Sequence, residues 1–144
     1  MLRYGKTARQ AVAAASYLAE RYEEGTSIAS AEVGRIRGLP APLAAKLLSE
    51  ISGAGLVIGT TGPGGGYRLA KAPQEITLAE IVGLFERPQD EYPCPFGPGW
   101  CGTGNPCPLH DSFLELDEKA RVFLETTTLG VFADHPDPSL PGSD

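Results

Sequence analysis

No apolar run in this 144-residue chain approaches the roughly 20 residues that a membrane-spanning helix needs. The basic opening MLRYGKTARQ leads into AVAAAS, which is too short and too weakly apolar for a secretory leader. A soluble, cytoplasmic chain with no membrane partner is expected. No nucleophile with a neighbouring base and no poised pair of carboxylates stands out, which argues against an enzyme and against a small-molecule substrate. GKT at Gly5 to Thr7 resembles the end of a phosphate-binding loop, yet the upstream glycine and preceding strand that such a loop requires are missing. Cysteine is scarce as well: there are three, and all lie between Pro93 and His110.

That stretch, PCPFGPGWCGTGNPCPLH, is where chemistry is expected. Nine of the sixteen residues from Pro93 to Pro108 are Pro or Gly, a composition poor in backbone donors and in helix or strand propensity. It predicts an irregular loop. Loops of this length are uncommon in small domains unless they are functional or disordered, and thiolate–metal bonds would supply the ordering energy. Thiolates select zinc, copper(I) or iron–sulfur clusters. Zinc fingers favour ligands two to four residues apart, whereas six residues separate Cys94 from Cys101 and five separate Cys101 from Cys107. The wide, even gaps suit a bulky cluster better than a single ion. Two other readings stay open: a disulfide with one thiol left over, and three cysteines that act as small buried hydrophobes. His110 follows Cys107 at the expected first turn of a helix, on the same side, either as a ligand or as a solvated residue.

The length allows one domain with one modest core. The net charge of −6 is unevenly spread. Up to Lys71 nine Lys or Arg face five Asp or Glu, a balance of +4; from Ala72 onward three face thirteen, a balance of −10. A basic module on an acidic body is compatible with a polyanion bound on one face.

Helical spacing of Ala8, Val12, Ala15, Leu18, Ala19 and Tyr22 predicts a first helix over Thr7 to Glu23, with Gly25 as its cap. A short stretch at Thr26 to Ile28 precedes a brief helix over Ser30 to Arg37, with Ser30 as N-cap and Gly38 as its stop. LPAP opens a third helix over Ala41 to Ser52, with Leu43, Leu47, Leu48 and Ile51 inward. These are the parts of a helix-turn-helix, or of a plain helical bundle. LVIGT and YRLAK flank TGPGGG and read as a hairpin with a nearly side-chain-free tip at Gly62 to Gly66. Helices followed by such a hairpin make a winged helix, whose tip glycines would approach phosphate and offer it N–H donors. ITLAEIVGLFE, from Ile76 to Glu86, predicts a helix with a Thr77–Glu80 capping box. From Leu109, the spacing of Phe113, Leu116, Ala120 and Phe123, with Leu124 beside them, predicts a long helix to about Thr127. Its narrow stripe suits pairing with a second copy across a two-fold axis, or packing within one chain. The fold class expected is mainly α: a winged helix-turn-helix with a two-stranded wing over residues 1–72, a sensor loop and long dimerisation helix over 73–130, and a disordered tail over 131–144.

GLV, GPGGGYRLA, EITLAEIV, the three cysteines and the long helix together resemble the IscR, NsrR and RirA (Rrf-two) family of bacterial winged-helix regulators, over roughly Leu2 to Leu129. The resemblance implies a homodimer that binds a double-stranded DNA operator and whose affinity is controlled by an iron–sulfur cluster, as in a repressor or other redox sensor. Matched by position, Cys94, Cys101 and Cys107 are its cysteine ligands and His110 the fourth ligand of the IscR branch, which favours [2Fe–2S] over [4Fe–4S]. The position of an aspartate ligand in the NsrR branch is held here by Arg9, and the first cysteine gap is one residue longer than in the IscR branch. The recognition-helix positions fall on Pro40, Pro42, Leu43, Ala45 and Lys46, so direct base readout should be thin. Lys46, with Lys6, Arg9 and the wing residues Thr60, Thr61, Gly62, Gly64, Gly65, Tyr67 and Arg68, would then bind mainly phosphate. The alternatives are a zinc or thiol–disulfide switch without iron, and a winged-helix adaptor that binds protein.

Overall fold

The computed structural model describes residues 4–86 and 105–138. Its described part is mostly helical. Helix α1 (Lys6–Glu20) runs through the middle, with Ala8, Ala11, Ala14, Ala15 and Ala19 buried together with Val12, Tyr17 and Leu18. Small side chains let neighbours approach from several sides, and α1 packs against α2 (Ser30–Arg37), α3 (Ala41–Gly53), α4 (Leu78–Phe85) and α6 (Gly130–Asp134). Leu47, Leu48 and Ile51 of α3 and Ile81 and Val82 of α4 complete the centre. Each such side chain contributes about 1.5–3 kcal/mol through burial.

The first helix ends at Glu20, earlier than its spacing predicts, and a single 3-10 turn (Tyr22–Glu24) carries the chain to Gly25, which caps it at φ 68°. Ser30 is the first residue of α2 rather than its cap: Ala29 holds that position and no side chain bonds there. The cause lies upstream, where Ile28 and Tyr67 exchange two backbone hydrogen bonds of 2.8 Å and so fix where α2 can begin. Gly34 sits where α2 crosses α3, because a Cβ there would lie 2.7 Å from the Leu39 carbonyl oxygen and 3.3 Å from Ala44 Cβ.

The wing pairs β1 (Val57–Thr60) with β2 (Gly66–Leu69) in an antiparallel register that sets Val57 against Leu69 and Thr60 against Gly66. The Ile28 bridge adds a short third rung, so the wing is tied back to the loop before α2. Gly66 permits this: any Cβ would fall 2.4 Å from the Ile28 carbonyl.

Helix α4 starts at Leu78 behind the expected capping box, with Glu80 N–H donating to Thr77 Oγ1 at 3.2 Å and Thr77 N–H to Glu80 Oε2 at 3.1 Å. Helix α5 (His110–Thr126) returns beside it, and its end is pinned to the start of α4 by Leu78 N–H to Thr127 O and Leu129 N–H to Ile76 O, both 2.9 Å. Phe85 and His110, where α4 ends and α5 begins, therefore lie away from this bridge. The tail expected from residue 131 begins instead inside α6, where Phe132 packs against the core. Order continues beyond it, with Asp137 Oδ2 3.9 Å from the Arg37 guanidinium. Burial of Phe132 and of Leu129 just before α6 outweighs the prolines that follow.

Candidate nucleic-acid interface and cysteine segment

Lys46 is exposed on α3, between the buried Ala44 and Leu47. Ala41 and Pro42 are exposed beside it and offer no hydrogen-bonding side chain, so the face that α3 presents first is poor in polar groups. Arg35, 71% exposed at the end of α2 and only 4.0 Å-paired with Glu32, is a further cation that the sequence reading did not single out. Its signal is local: it flanks the buried pair Val33 and Gly34 on a short helix.

On the wing, Thr60, Thr61, Gly62, Gly64 and Arg68 are exposed. Two of the expected contacts have work within the hairpin. Gly65 N–H donates to the Gly62 carbonyl at 2.9 Å, so this donor is used inside the turn. Tyr67 is bonded to Ile28 through its backbone and lays its ring over Gly59, where a Cβ would meet Cε1 at 3.0 Å. The Thr60 hydroxyl lies 3.4 Å from that of Ser27. The wing thus offers glycine backbone at its tip and Arg68 on β2 more than a full set of open donors.

Lys6 and Arg9 are exposed on the first turn of α1. They do not join the wing. Leu18, Arg21 and Tyr22, at the far end of α1, line a small cavity with Arg68 and Leu69; at 1.5 Å per residue that end is about 18 Å from Lys6. The expected phosphate-binding residues therefore form two groups. Burial pushes the Tyr4 hydroxyl pKa up, and neighbouring Arg9 opposes that shift.

The start of α1 also meets Glu86, the last described residue before the cysteine-bearing stretch. Gly5 N–H donates to Glu86 Oε1 at 2.7 Å, and Glu86 directly follows α4. Cys94 and Cys101 lie outside the described residues. Cys107 is buried, 6% exposed, and its carbonyl accepts from His110 N–H at 3.0 Å, so one tight turn brings together the last two members of the expected ligand set. Their chemistry fits a thiophilic centre: a shielded soft sulfur donor and an imidazole on the adjoining turn. Among the described residues no group of three or more His, Cys, Asp or Glu forms a metal site, as expected when two of the four candidates lie outside them.

Helix α5 carries Leu109, Leu116 and Phe123 at 44%, 62% and 53% exposure along one side, and Leu124 is its one buried residue. Its opposite side holds Arg121 between Glu118 and, at 2.9 Å, Glu125. No helix among the described residues is long and apolar enough to cross a membrane.

Residues 4–135 match the family described as Rrf2, iron-dependent transcriptional regulator. The chain is 31% identical over 129 residues to the helix-turn-helix transcriptional regulator IscR of Klebsiella pneumoniae strain 342, covering 90% of this chain and 78% of that protein. It is 32% identical over 128 residues to a helix-turn-helix transcriptional regulator of Aquifex aeolicus, covering 88% of each. Among solved structures, CymR, the global cysteine regulator of B. subtilis, superposes with a TM-score of 0.77 at 22% identity over 95% of this chain and all of that one. T. potens IscR superposes at 0.72 with 20% identity, over 94% of this chain and 89% of that one. These likenesses establish the winged-helix fold, and the extent of the sequence match establishes kinship: the chain belongs to the Rrf2 family of transcriptional regulators and is not an enzyme.

Proposed function

We propose that this chain is a cytoplasmic, homodimeric DNA-binding regulator whose operator affinity is set by an iron–sulfur cluster on Cys94, Cys101, Cys107 and His110, with [2Fe–2S] favoured over [4Fe–4S]. The observation that carries the reading is the shielded Cys107 thiol one turn from His110, at the point where the Pro- and Gly-rich segment becomes α5. A cluster held there would supply iron and sulfide that react with oxidants, nitric oxide or iron scarcity. The chain's own part is to hold four ligands between α4 and α5 and to link their arrangement to the winged helix. The exposed stripe of Leu109, Leu116 and Phe123 supports pairing of α5 with its copy, since apolar side chains in a row are worth covering. Lys46, Arg68 and the wing-tip glycines would bind duplex phosphate, with Thr60, Thr61 and Tyr67 at their margins and Lys6 and Arg9 as a separate group on the first turn of α1.

Iron and acid-labile sulfide per chain, measured on anaerobically purified protein together with the visible spectrum, test the reading. Matching iron and sulfide, lost in Cys101→Ala along with the redox response of operator binding, is the expected result. Zinc or no metal after attempted reconstitution would replace it with a zinc or thiol–disulfide switch. Absence of salt-dependent DNA binding would leave a protein-binding adaptor.

A further inference from the structure

Glu86 joins two parts of the chain that lie 81 residues apart. It closes α4, with its own N–H donating to Val82 O at 3.0 Å, and residue 87 begins the stretch that carries Cys94 and Cys101. Its side chain reaches the other way: Oε1 accepts from Gly5 N–H at 2.7 Å. Gly5 is the N-cap of α1, with an extended backbone and no side chain of its own to satisfy the helix's first donors. The first four N–H groups of any helix lack partners within it, and a carboxylate beside them also complements the positive end of the helix dipole. Glu86 supplies both. Glycine at position 5 fits this contact closely, because a Cβ would stand 2.8 Å from Oε1. The turn so capped carries Lys6 and Arg9 and leads directly into Ala8 and Ala11, which are fully buried.

We propose that Glu86 is a positioning residue that couples the cysteine segment to the DNA-binding body through the first turn of α1. The inference rests on the regulatory reading above and adds to it the route. Seven residues lie between Glu86 and Cys94. Along the chain Glu86 is the described residue that precedes Cys94 and Cys101, so the covalent route from those two cysteines to α4 runs through the Glu86 backbone. Withdrawal of Oε1 leaves the Gly5 N–H without its partner and loosens the turn that holds Lys6 and Arg9. The contact is nearly at the optimal N–H···O length, so small displacements weaken it.

A double-mutant cycle tests this. The probe is a duplex selected from a random-sequence pool by the wild-type chain. Cys101→Ala is introduced into the wild type, into Glu86→Ala and into Glu86→Gln, whose amide oxygen still accepts from Gly5. In the wild type Cys101→Ala is expected to change the operator Kd about tenfold, within the usual range of coupling between sites. In Glu86→Ala the same change should shrink to about twofold, the error of additive effects, and Glu86→Gln should restore most of it. A purely structural Glu86 would weaken binding in every background and leave the Cys101 effect intact, which would overturn the proposal.

Hydrogen exchange gives a readout that needs no DNA. Amides of residues 5–8 should lose protection in Cys101→Ala and in Glu86→Ala alike. Unchanged protection there in Cys101→Ala would also overturn the coupling. If Glu86→Ala does not fold, Gly5→Ala displaces the same carboxylate from the other side and takes its place in the cycle. Failure of the regulatory reading itself is recognised separately: Cys101→Ala would then leave Kd unchanged in the wild type, before Glu86 is touched, and the coupling would fall with it.

Discussion

Helices α1 and α5 are the two longest among the described residues, at 15 and 17 residues, and they meet opposite fates. Nine residues of α1 are buried, and one of α5. Hydrophobicity alone does not account for the contrast, since α5 carries Leu109 at its cap and Phe113, Leu114, Leu116, Val122, Phe123 and Leu124. Side-chain size and charge do. Alanines on several sides of α1 admit four other helices at close range. Acids and bases interrupt the apolar residues of α5 and leave Leu114, Leu116, Val122 and Phe123 exposed on more than one side, and α4 covers the helix only in part. A helix built like α1 organises a single chain, whereas one built like α5 leaves apolar surface exposed.

The sharpest way to break that contrast acts on α1. Arg37 of α2 reaches into it, pairing with Glu20, donating from Nε to Ser16 Oγ at 3.0 Å, and lying 5.3 Å above the Tyr17 ring. The side chains of Arg37 and Glu20 are 12% and 4% exposed. Arg37→Ala leaves the Glu20 carboxylate buried and unpaired, and removal of one partner of such a pair costs about 3–5 kcal/mol. Urea denaturation is expected to show a loss of this size, a large share of a small domain's stability. A loss below about 1 kcal/mol, the level of a surface pair, would mean that Glu20 finds water and that the α1–α2 contact is looser than it looks.

The same chemical change made in both helical regions sharpens the comparison further. Leu48→Ala removes a fully buried side chain of α3 against α1 and should cost about 2–5 kcal/mol. Leu116→Ala removes one that is 62% exposed and should change the unfolding of the isolated chain by no more than about 0.5 kcal/mol. Its expected effect is on association: sedimentation at dilute concentration should shift toward the monomer, and the thermal midpoint should lose its dependence on protein concentration. An unchanged sedimentation profile in both Leu116→Ala and Phe123→Ser would remove α5 as the pairing face.

How far these features could be read from the sequence depends on whether their cause is local. The Thr77–Glu80 capping box, the stop at Gly38 and the glycine-rich hairpin are each decided within a few residues and stand where the sequence places them, whereas Gly25 caps the 3-10 turn after α1 rather than α1 itself. Ser30 was not the cap of α2, because the helix start is set by Tyr67, a residue 37 positions away by sequence number. Helix α6 was hidden by the prolines after it, since only the packing of Phe132 against the core reveals it. The Glu86–Gly5 contact has no sequence signature at all. Of the three cysteines proposed as ligands, Cys94 and Cys101 lie outside the described residues and Cys107 stands beside His110. The phosphate-binding set was chosen by charge and by family position, which cannot tell that Lys6 and Arg9 stand at one end of α1 and Arg68 near the other.

The smallest expected effect lies on the charged side of α5. The hydrogen bond from Arg121 holds the Glu118 carboxyl below its ordinary pKa. A carboxylate whose folded pKa is depressed adds stability that is present above its unfolded pKa and disappears as the pH falls through the folded one. Any contribution of this pair is therefore complete at neutral pH and fades in the acid range. Glu118 is exposed, however, and exposed pairs of this kind are screened by water and salt. Thermal midpoints of the wild type and Glu118→Gln should thus coincide near neutrality within the error of the measurement and stay together as the pH is lowered. A gap that is clear at pH 7 and closes in acid would show that Glu118 is shielded in solution. Shielding at that position would extend the proposed pairing surface from the apolar stripe of α5 to its charged side, so that a second copy would cover the helix more widely than along one line.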